Sequence, residues 1–376
     1  MNDLSIGTLA CLLVVVLFAP AAARADEQPS AEDWGYEEQL RDLLNPDPYG
    51  LNLFPVALYT PETSFGAGGA LILTMRDPHQ PRDSRPDTLQ AFAMYTLKNQ
   101  ALLTVVPDVY LDGENWEIKL VCAYSKMPDS FFGNGNDSDE DSEESFVAQS
   151  AMVQPWVMRR VWRSFRLGVW YDLKRSSVIQ REPEMLLDQR KLAGSRGGLR
   201  SGLGPAVDLD SRDNTFFPLR GGWYQFNACF YEEALGSDFD YQAYVIDLRR
   251  YIGLGGMHVL AVQAYATWLS GGVPFNERTD MQGIRGIYAG RFNDRMLIRG
   301  QVEYRFPIYW RFSGATFVAA GDVSDSLQNY ELELVKYAAG AGVRFALDPD
   351  ERINLRLDLG VSPWGVFPYF MIGESF

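Results

Sequence analysis

"RMLIRGQVEYRFPI", residues 295–308, decides the fold. Arg295, Arg299, Gln301, Glu303 and Arg305 share one set of alternate positions, and Met296, Ile298, Val302, Tyr304, Phe306 and Ile308 share the other. A period of two belongs to a β-strand, whose side chains point to opposite faces in turn. "RINLRLDLGV", residues 352–361, repeats the pattern: Arg352, Asn354, Arg356 and Asp358 alternate with Ile353, Leu355, Leu357 and Leu359. One face of such a sheet is fully charged and the other is large, apolar and aromatic. Two architectures accept that sheet. A sandwich buries the apolar face against a second sheet, whereas a membrane barrel turns it to lipid and encloses the charge in a lumen.

Strand length separates them. Strands of soluble proteins average about 5–6 residues, while a tilted membrane strand needs about 9–11. Sixteen segments carry the pattern, from residues 52–60 through 294–308 and 352–362 to 366–376, and most exceed ten residues. The connections agree. After even segments the joints are mostly tight, as in "DGEN", "LGGM", "YW" and "DPDE"; after odd ones they are long, at 127–144, 175–195, 271–293 and 324–335. Short periplasmic turns and long outer loops are the asymmetry of an outer-membrane barrel, although 77–86 and 211–221 break the rule. The expected fold is all-β, a 16-stranded antiparallel transmembrane β-barrel over residues 52–376. Trp116, Trp170, Trp223, Tyr309, Trp310, Trp364 and Tyr369 lie near strand ends, where interfacial girdles form.

The N-terminus is consistent with export. "LACLLVVVLF", residues 9–18, is too short to span a bilayer, and Ala23-Arg24-Ala25 offers small residues for cleavage, so residues 1–25 read as a signal peptide. Residues 26–51 then form a short periplasmic segment with room for a helix around Glu37–Leu44. The expected location is the outer membrane of a Gram-negative cell, in contact with its lipid and lipopolysaccharide. A net charge of −15 argues against a nucleic-acid partner. Cys122 and Cys229 are too few and too far apart for a disulfide framework or a metal cluster. The acidic run "GNGNDSDEDSEES", residues 133–145, lacks the spacing of a calcium loop and reads as a solvated loop. No cofactor is expected. His79 and His258 have no evident nucleophile–carboxylate arrangement, so no enzyme is expected either.

Three stretches carry more than architecture. "DMQGIRGIYAGRF", residues 280–292, places Arg285 among Ile284, Gly286, Ile287 and Tyr288 in a long outer loop. Glycines at 283 and 286 permit tight folding, and the apolar neighbours imply a packed tip. A loop folded into the lumen would find carboxylates at Asp322 and Asp358, either of which suits an arginine fork. "DLDSRDNTFFPLRGG", residues 208–222, sets Asp208, Asp210 and Arg212 on one face, then turns through Pro218 and Gly221. "PYFMIGESF", residues 368–376, puts Phe370, Ile372 and Phe376 on one face beside Gly373.

Together these stretches resemble the BamA/TamA-type barrel family, the bacterial surface antigens. Ile284-Arg285-Gly286-Ile287-Tyr288 is similar to that family's arginine-glycine-aromatic motif on the sixth outer loop. "DSRDNTFFPLRGG", with Asp213 and Asn214, is similar to its signature after strand 8, and "FMIGESF" to its closing strand. The resemblance covers residues from about 50 to 376. It implies that Arg285 enters the lumen with Asp358 or Asp322 as partner. It also implies that Phe376 belongs to a signal read by the barrel-assembly machinery, and that the protein assists insertion or translocation of client proteins or lipids. The chain departs from the family at Ala319, where an acid is usual. It also has only residues 26–51 where larger members carry periplasmic transport domains. The competing expectation is a passive pore for small solutes. Pro55 in the first strand suits a weak first-to-last seam.

Overall fold

The computed structural model describes residues 49–60, 64–76, 84–138, 142–189, 192–288 and 290–376, with only the backbone described at 57–60 and 64. The expected signal peptide, most of the N-terminal segment, His79 and the centre of the acidic run lie outside these residues.

Sixteen strands form one antiparallel meander in which each pairs with the next. They are β1 (Tyr49–Thr60), β2 (Ser64–Met75), β3 (Asp87–Thr96), β4 (Ala101–Leu111), β5 (Trp116–Phe131), β6 (Glu144–Trp162), β7 (Phe165–Arg181) and β8 (Gly197–Asp210). Then come β9 (Gly221–Tyr231), β10 (Tyr241–Gly255), β11 (His258–Gly271), β12 (Met296–Tyr309), β13 (Phe312–Ser324), β14 (Lys336–Asp348), β15 (Ile353–Ser362) and β16 (Gly365–Ile372). All sixteen expected segments are present.

Exposure settles the choice between sandwich and barrel. Glu303, Arg305, Arg344 and Asp358 are 1% exposed or less, whereas Ile298, Leu357 and Leu359 on the opposite face are 43%, 55% and 49% exposed. The charged face is the inside and the apolar face the outside, the reverse of a soluble sheet.

Three departures from the sequence expectation have physical causes. β5 and β7 run past the expected outer ends because Phe131 and Val178 there pack with Phe146, Leu187 and Phe275, while β6 gains residues 158–162 at its short-turn end, where it pairs with the start of β7. Of the expected girdle, Trp116, Tyr309 and Trp310 face outward, but other members serve the interior. Trp170 stacks on Trp156 at 4.5 Å and donates to the Ala228 carbonyl, and Trp223 lies under Arg212 and Arg249. Finally, the last strand ends at Ile372 rather than 376. Gly373 adopts φ 83°, a left-handed turn that glycine accepts without strain, and the chain leaves the wall.

No ladder joins β1 to β16 among the described residues. The short-turn end of the seam is bridged by side chains: Asn52 donates to Asp348 at 3.1 Å, and Arg76 forks onto Glu351 at 2.8 Å through both Nε and Nη2. Both links reach past β16 to the β14–β15 turn.

Candidate functional site

The loop between β11 and β12 turns back into the barrel. A two-residue ladder, Thr279–Asp280 with Asn293–Asp294, closes its neck. Met281, Ile284, Ile287 and Phe292 then pack with Leu297, Ala319, Val323 and Ala338 of the wall, with Tyr265 and Trp364 alongside. This explains the apolar loop tip: its solvent is the barrel wall. It also explains Ala319. A side chain larger than alanine there would meet the loop core, and a carboxylate would be desolvated in it.

Apolar seating carries Arg285 to the charged interior. Its Nη1 donates to Asp358 Oδ2 at 2.6 Å, and its Nη2 approaches Glu303 Oε2 at 2.7 Å as an ion pair. The guanidinium lies 3.5 Å from the ring centroid of Phe317. Glu303 also holds Arg305 at 2.7 Å and Arg344 at 3.3 Å, and Asp358 holds Arg344 at 2.6 Å and Arg356 at 3.2 Å. Glu374 joins them, 3.3 Å from Arg344. Four arginines and three carboxylates thus form one buried network, in which each carboxylate serves at least two guanidiniums. Such an arrangement suits a desolvated lumen, where an unpaired charge is costly.

The motif backbone is fixed as well. The Gly286 N–H donates to Tyr369 Oη at 2.9 Å, and its carbonyl accepts from Ser362 Oγ. Gly286 has φ 115°, and a Cβ there would sit 3.0 Å from Ala338 Cβ. Tyr288 stands at the rim, edge-on to Phe132 at 6.3 Å. Burial and the nearby Asp129 push its hydroxyl up to about 12. Burial also raises the Asp280 carboxyl, against the Gln282 N–H that it accepts at 2.8 Å.

Asp322 is not the partner of Arg285, which corrects one of the two expected pairings. It holds Lys336 at 3.3 Å and accepts from Asn136 at 3.1 Å. Asp322 lies opposite Ile298, whereas Glu303 lies opposite Phe317, five residues deeper along β12. At about 3.4 Å per residue that is about 17 Å further along the strand from its outer end. The Asn136 contact also corrects the reading of the acidic run. Its start is pinned to the loop between β11 and β12 although Asn134 and Asp137 stay exposed: Gly135 bridges Asn293, and Ser138 donates to the Arg291 carbonyl.

The stretch after β8 builds the short-turn end. Asp208 takes a bidentate fork from Arg166 at 2.8 and 2.9 Å, and Asp210 takes one from Arg212 at 3.0 and 2.8 Å. Arg212 itself lies beyond the strand end. Asp213 accepts from the Leu219 and Arg220 N–H groups and holds Arg352 at 2.8 Å. Asn214 accepts from the Phe216 and Phe217 N–H groups and donates to the Glu351 carbonyl. Gly221, at φ 99°, closes the turn where a Cβ would strike the Ser211 carbonyl at 2.0 Å. With Pro218, the 211–220 segment is a folded plug docked on the β14–β15 turn, which accounts for its length.

Phe376 is also corrected. Phe370 and Ile372 share the outward face of β16, opposite Leu357 and Leu355, but Phe376 does not. Beyond Gly373 the chain crosses into the lumen, where Phe376 is 5% exposed among Tyr251, Val259 and Ala261, with Leu219 against it. Arg305 donates to its carbonyl at 3.1 Å. Sequence reasoning missed Glu303, Arg344 and Glu374 as members of the network. The signal for Glu303 was present, since it sits on the charged face of the period-two segment 295–308, whereas Arg344 lies in the alanine- and glycine-rich strand β14, which shows no charged face.

The fold and site define an outer-membrane-type barrel whose lumen is clasped by an arginine loop. The Omp85 superfamily domain matches residues 100–363, and the chain belongs to that superfamily. Solved structures that share the fold include two at TM-score 0.54. One is BamA from Haemophilus ducreyi lacking POTRA domains 1-3 (TM-score 0.54, 11% identity, covering 87% of this chain and 70% of that one). The other is CdiB from Acinetobacter baumannii (TM-score 0.54, 10% identity, 86% and 65%). The chain thus spans about two thirds of the length of CdiB. Among curated proteins no sequence match was found.

Proposed function

We propose that the chain resides in the outer membrane and assists insertion or translocation of proteins or lipids there. The observation that carries this reading is the combination of an unzipped β1/β16 seam with an Arg285 loop locked into the lumen. An exposed strand edge offers backbone groups to an incoming chain, and the clasp keeps the rest of the barrel rigid while the seam stays weak. The superfamily's general role in outer-membrane assembly supports the same reading. Client outer-membrane proteins, lipid and lipopolysaccharide are its proposed partners, with the assembly machinery acting during biogenesis. No catalytic role is proposed: His258 bonds Tyr304 Oη at 2.8 Å on the outward face.

A passive pore is the rival, favoured by the cavity left in the lumen. Deleting the gene should deplete a subset of outer-membrane proteins or change lipid composition. Purified protein should give small, irregular conductance in planar bilayers; large steady channels that ignore Arg285→Ala would establish the pore instead.

A further inference from the structure

The lumen has two unlike walls. The charged network occupies the inward positions of β12, β14 and β15. Inward positions of β1–β6 carry Phe54, Ile72, Phe92, Leu102, Val106 and Trp156, which border a cavity of about 1110 Å³. That volume is slightly above the ~300–1,000 Å³ range of small-molecule sites. Thr88, Gln90, Thr104, Lys119 and Gln154 interrupt this wall, but most of the cavity surface is apolar, unlike the polar lining of a water-filled barrel.

The cavity also passes through the barrel wall. Leu53 and Pro55, which point outward on β1, line it together with inward Phe54 and Val56, and so do outward Leu355 and Ile372 on the far side of the seam. Its apolar wall is therefore continuous with the lipid-facing surface where β1 and β16 do not pair.

The opposite end is cationic. Arg85, Arg166 and Arg212 border both this cavity and a polar one of about 440 Å³ at the short turns. Seven arginines and five carboxylates line the smaller cavity, in a chain of net charge −15. Asp210 alone serves three of these arginines, at 2.8, 3.0 and 3.7 Å. Arg163 has no carboxylate partner among the described residues, and its guanidinium lies 5.0 Å over Trp162.

We propose that the lumen binds an anionic phospholipid. Its acyl chains enter through the seam along the β1–β6 wall, and its phosphate meets Arg163, Arg85 and Arg212, whose planar forks match phosphate oxygens. This deepens the assembly reading, on which it rests, by naming lipid as what the lumen holds. A client strand would be recognised by its backbone at the β1 or β16 edge and would have no use for an apolar wall inside the barrel.

The test uses delipidated, full-length protein in detergent, with bound lipid counted by native mass spectrometry. Phosphatidylglycerol should be retained about tenfold more tightly than phosphatidylcholine, the discrimination one charge-assisted contact supplies. Arg163→Ala should erase that preference. Ile72→Gln with Phe92→Gln should weaken retention of both lipids while leaving the heat-resistant folded band intact. Equal retention of both lipids in every variant would mean that lipid sits only on the outer belt, and would overturn the proposal. So would displacement of phosphatidylglycerol by millimolar inorganic phosphate, or by a peptide copying a barrel strand, since the seat would then belong to free phosphate or to a client. Outer-membrane composition after gene deletion is scored separately, so the lipid site can fail while the assembly role stands.

Discussion

Gly360 lies directly under Arg285: a Cβ at 360 would come within 2.6 Å of the Arg285 carbonyl carbon and oxygen. The clasp therefore depends on a missing side chain on β15 as much as on the carboxylates beneath it. Backbone cannot yield as a flexible side chain can, so Gly360→Ala should lift the loop. An overpacking cost of about 1–3 kcal/mol is expected, read as faster proteolysis between residues 272 and 293 with the barrel still folded.

Arg285 should be hard to replace. Arg285→Ala leaves Glu303 and Asp358 with one guanidinium fewer, and breaking a buried pair costs about 3–5 kcal/mol. The unfolding temperature of the heat-modifiable band should fall. Arg285→Lys should rescue it poorly, because a single ammonium cannot reach both carboxylates with a planar fork.

The two carboxylates separate true partners from bystanders. In double-mutant cycles with Arg285→Ala, Glu303→Gln and Asp358→Asn should show coupling of roughly 0.5–3 kcal/mol, whereas Asp322→Asn should be additive. Coupling at Asp322 would mean that the loop sits nearer the rim than described.

The tail makes a separate prediction. Phe376→Ala removes a buried aromatic anchor, for which losses of about 3–5 kcal/mol set the upper limit. Hydrogen exchange at Glu374–Phe376 should accelerate, and protection at the Arg285 loop should weaken through the shared Arg305, Arg344 and Glu374.

Asp280 gives the loop a pH dependence. Burial raises its carboxyl above the ordinary value of 3.8, so the folded loop binds the proton more tightly than the released loop does. Its stabilising contribution is complete below that ordinary value and is lost as pH rises through the raised one. Protease protection of the loop in Asp280→Asn should accordingly be less sensitive to pH over the acidic range than in the parent.

What sequence could reveal divides along a physical line. The alternation in 295–308 and 352–361 is a property of the strand backbone, so it fixed the number of strands, their two faces and the sign of each face. Gly283, Gly286 and the apolar residues between them likewise marked a folded loop, and Asp358 was within reach as its partner.

The rest is not local. Whether Arg285 meets Glu303 or Asp322 depends on how deep the loop seats and on the stagger between strands. That stagger brings residues distant in sequence to one level of the lumen. Phe376 continues the apolar face of its segment on paper, yet a single left-handed turn at Gly373 redirects it toward β10 and β11. Periodicity is written residue by residue, and so the sequence alone determined a charged interior and an apolar exterior. Which charges meet, where the chain leaves the wall, and that the lumen has one apolar side were decided only when sixteen strands were set side by side, because each is a relation between residues that no short stretch contains.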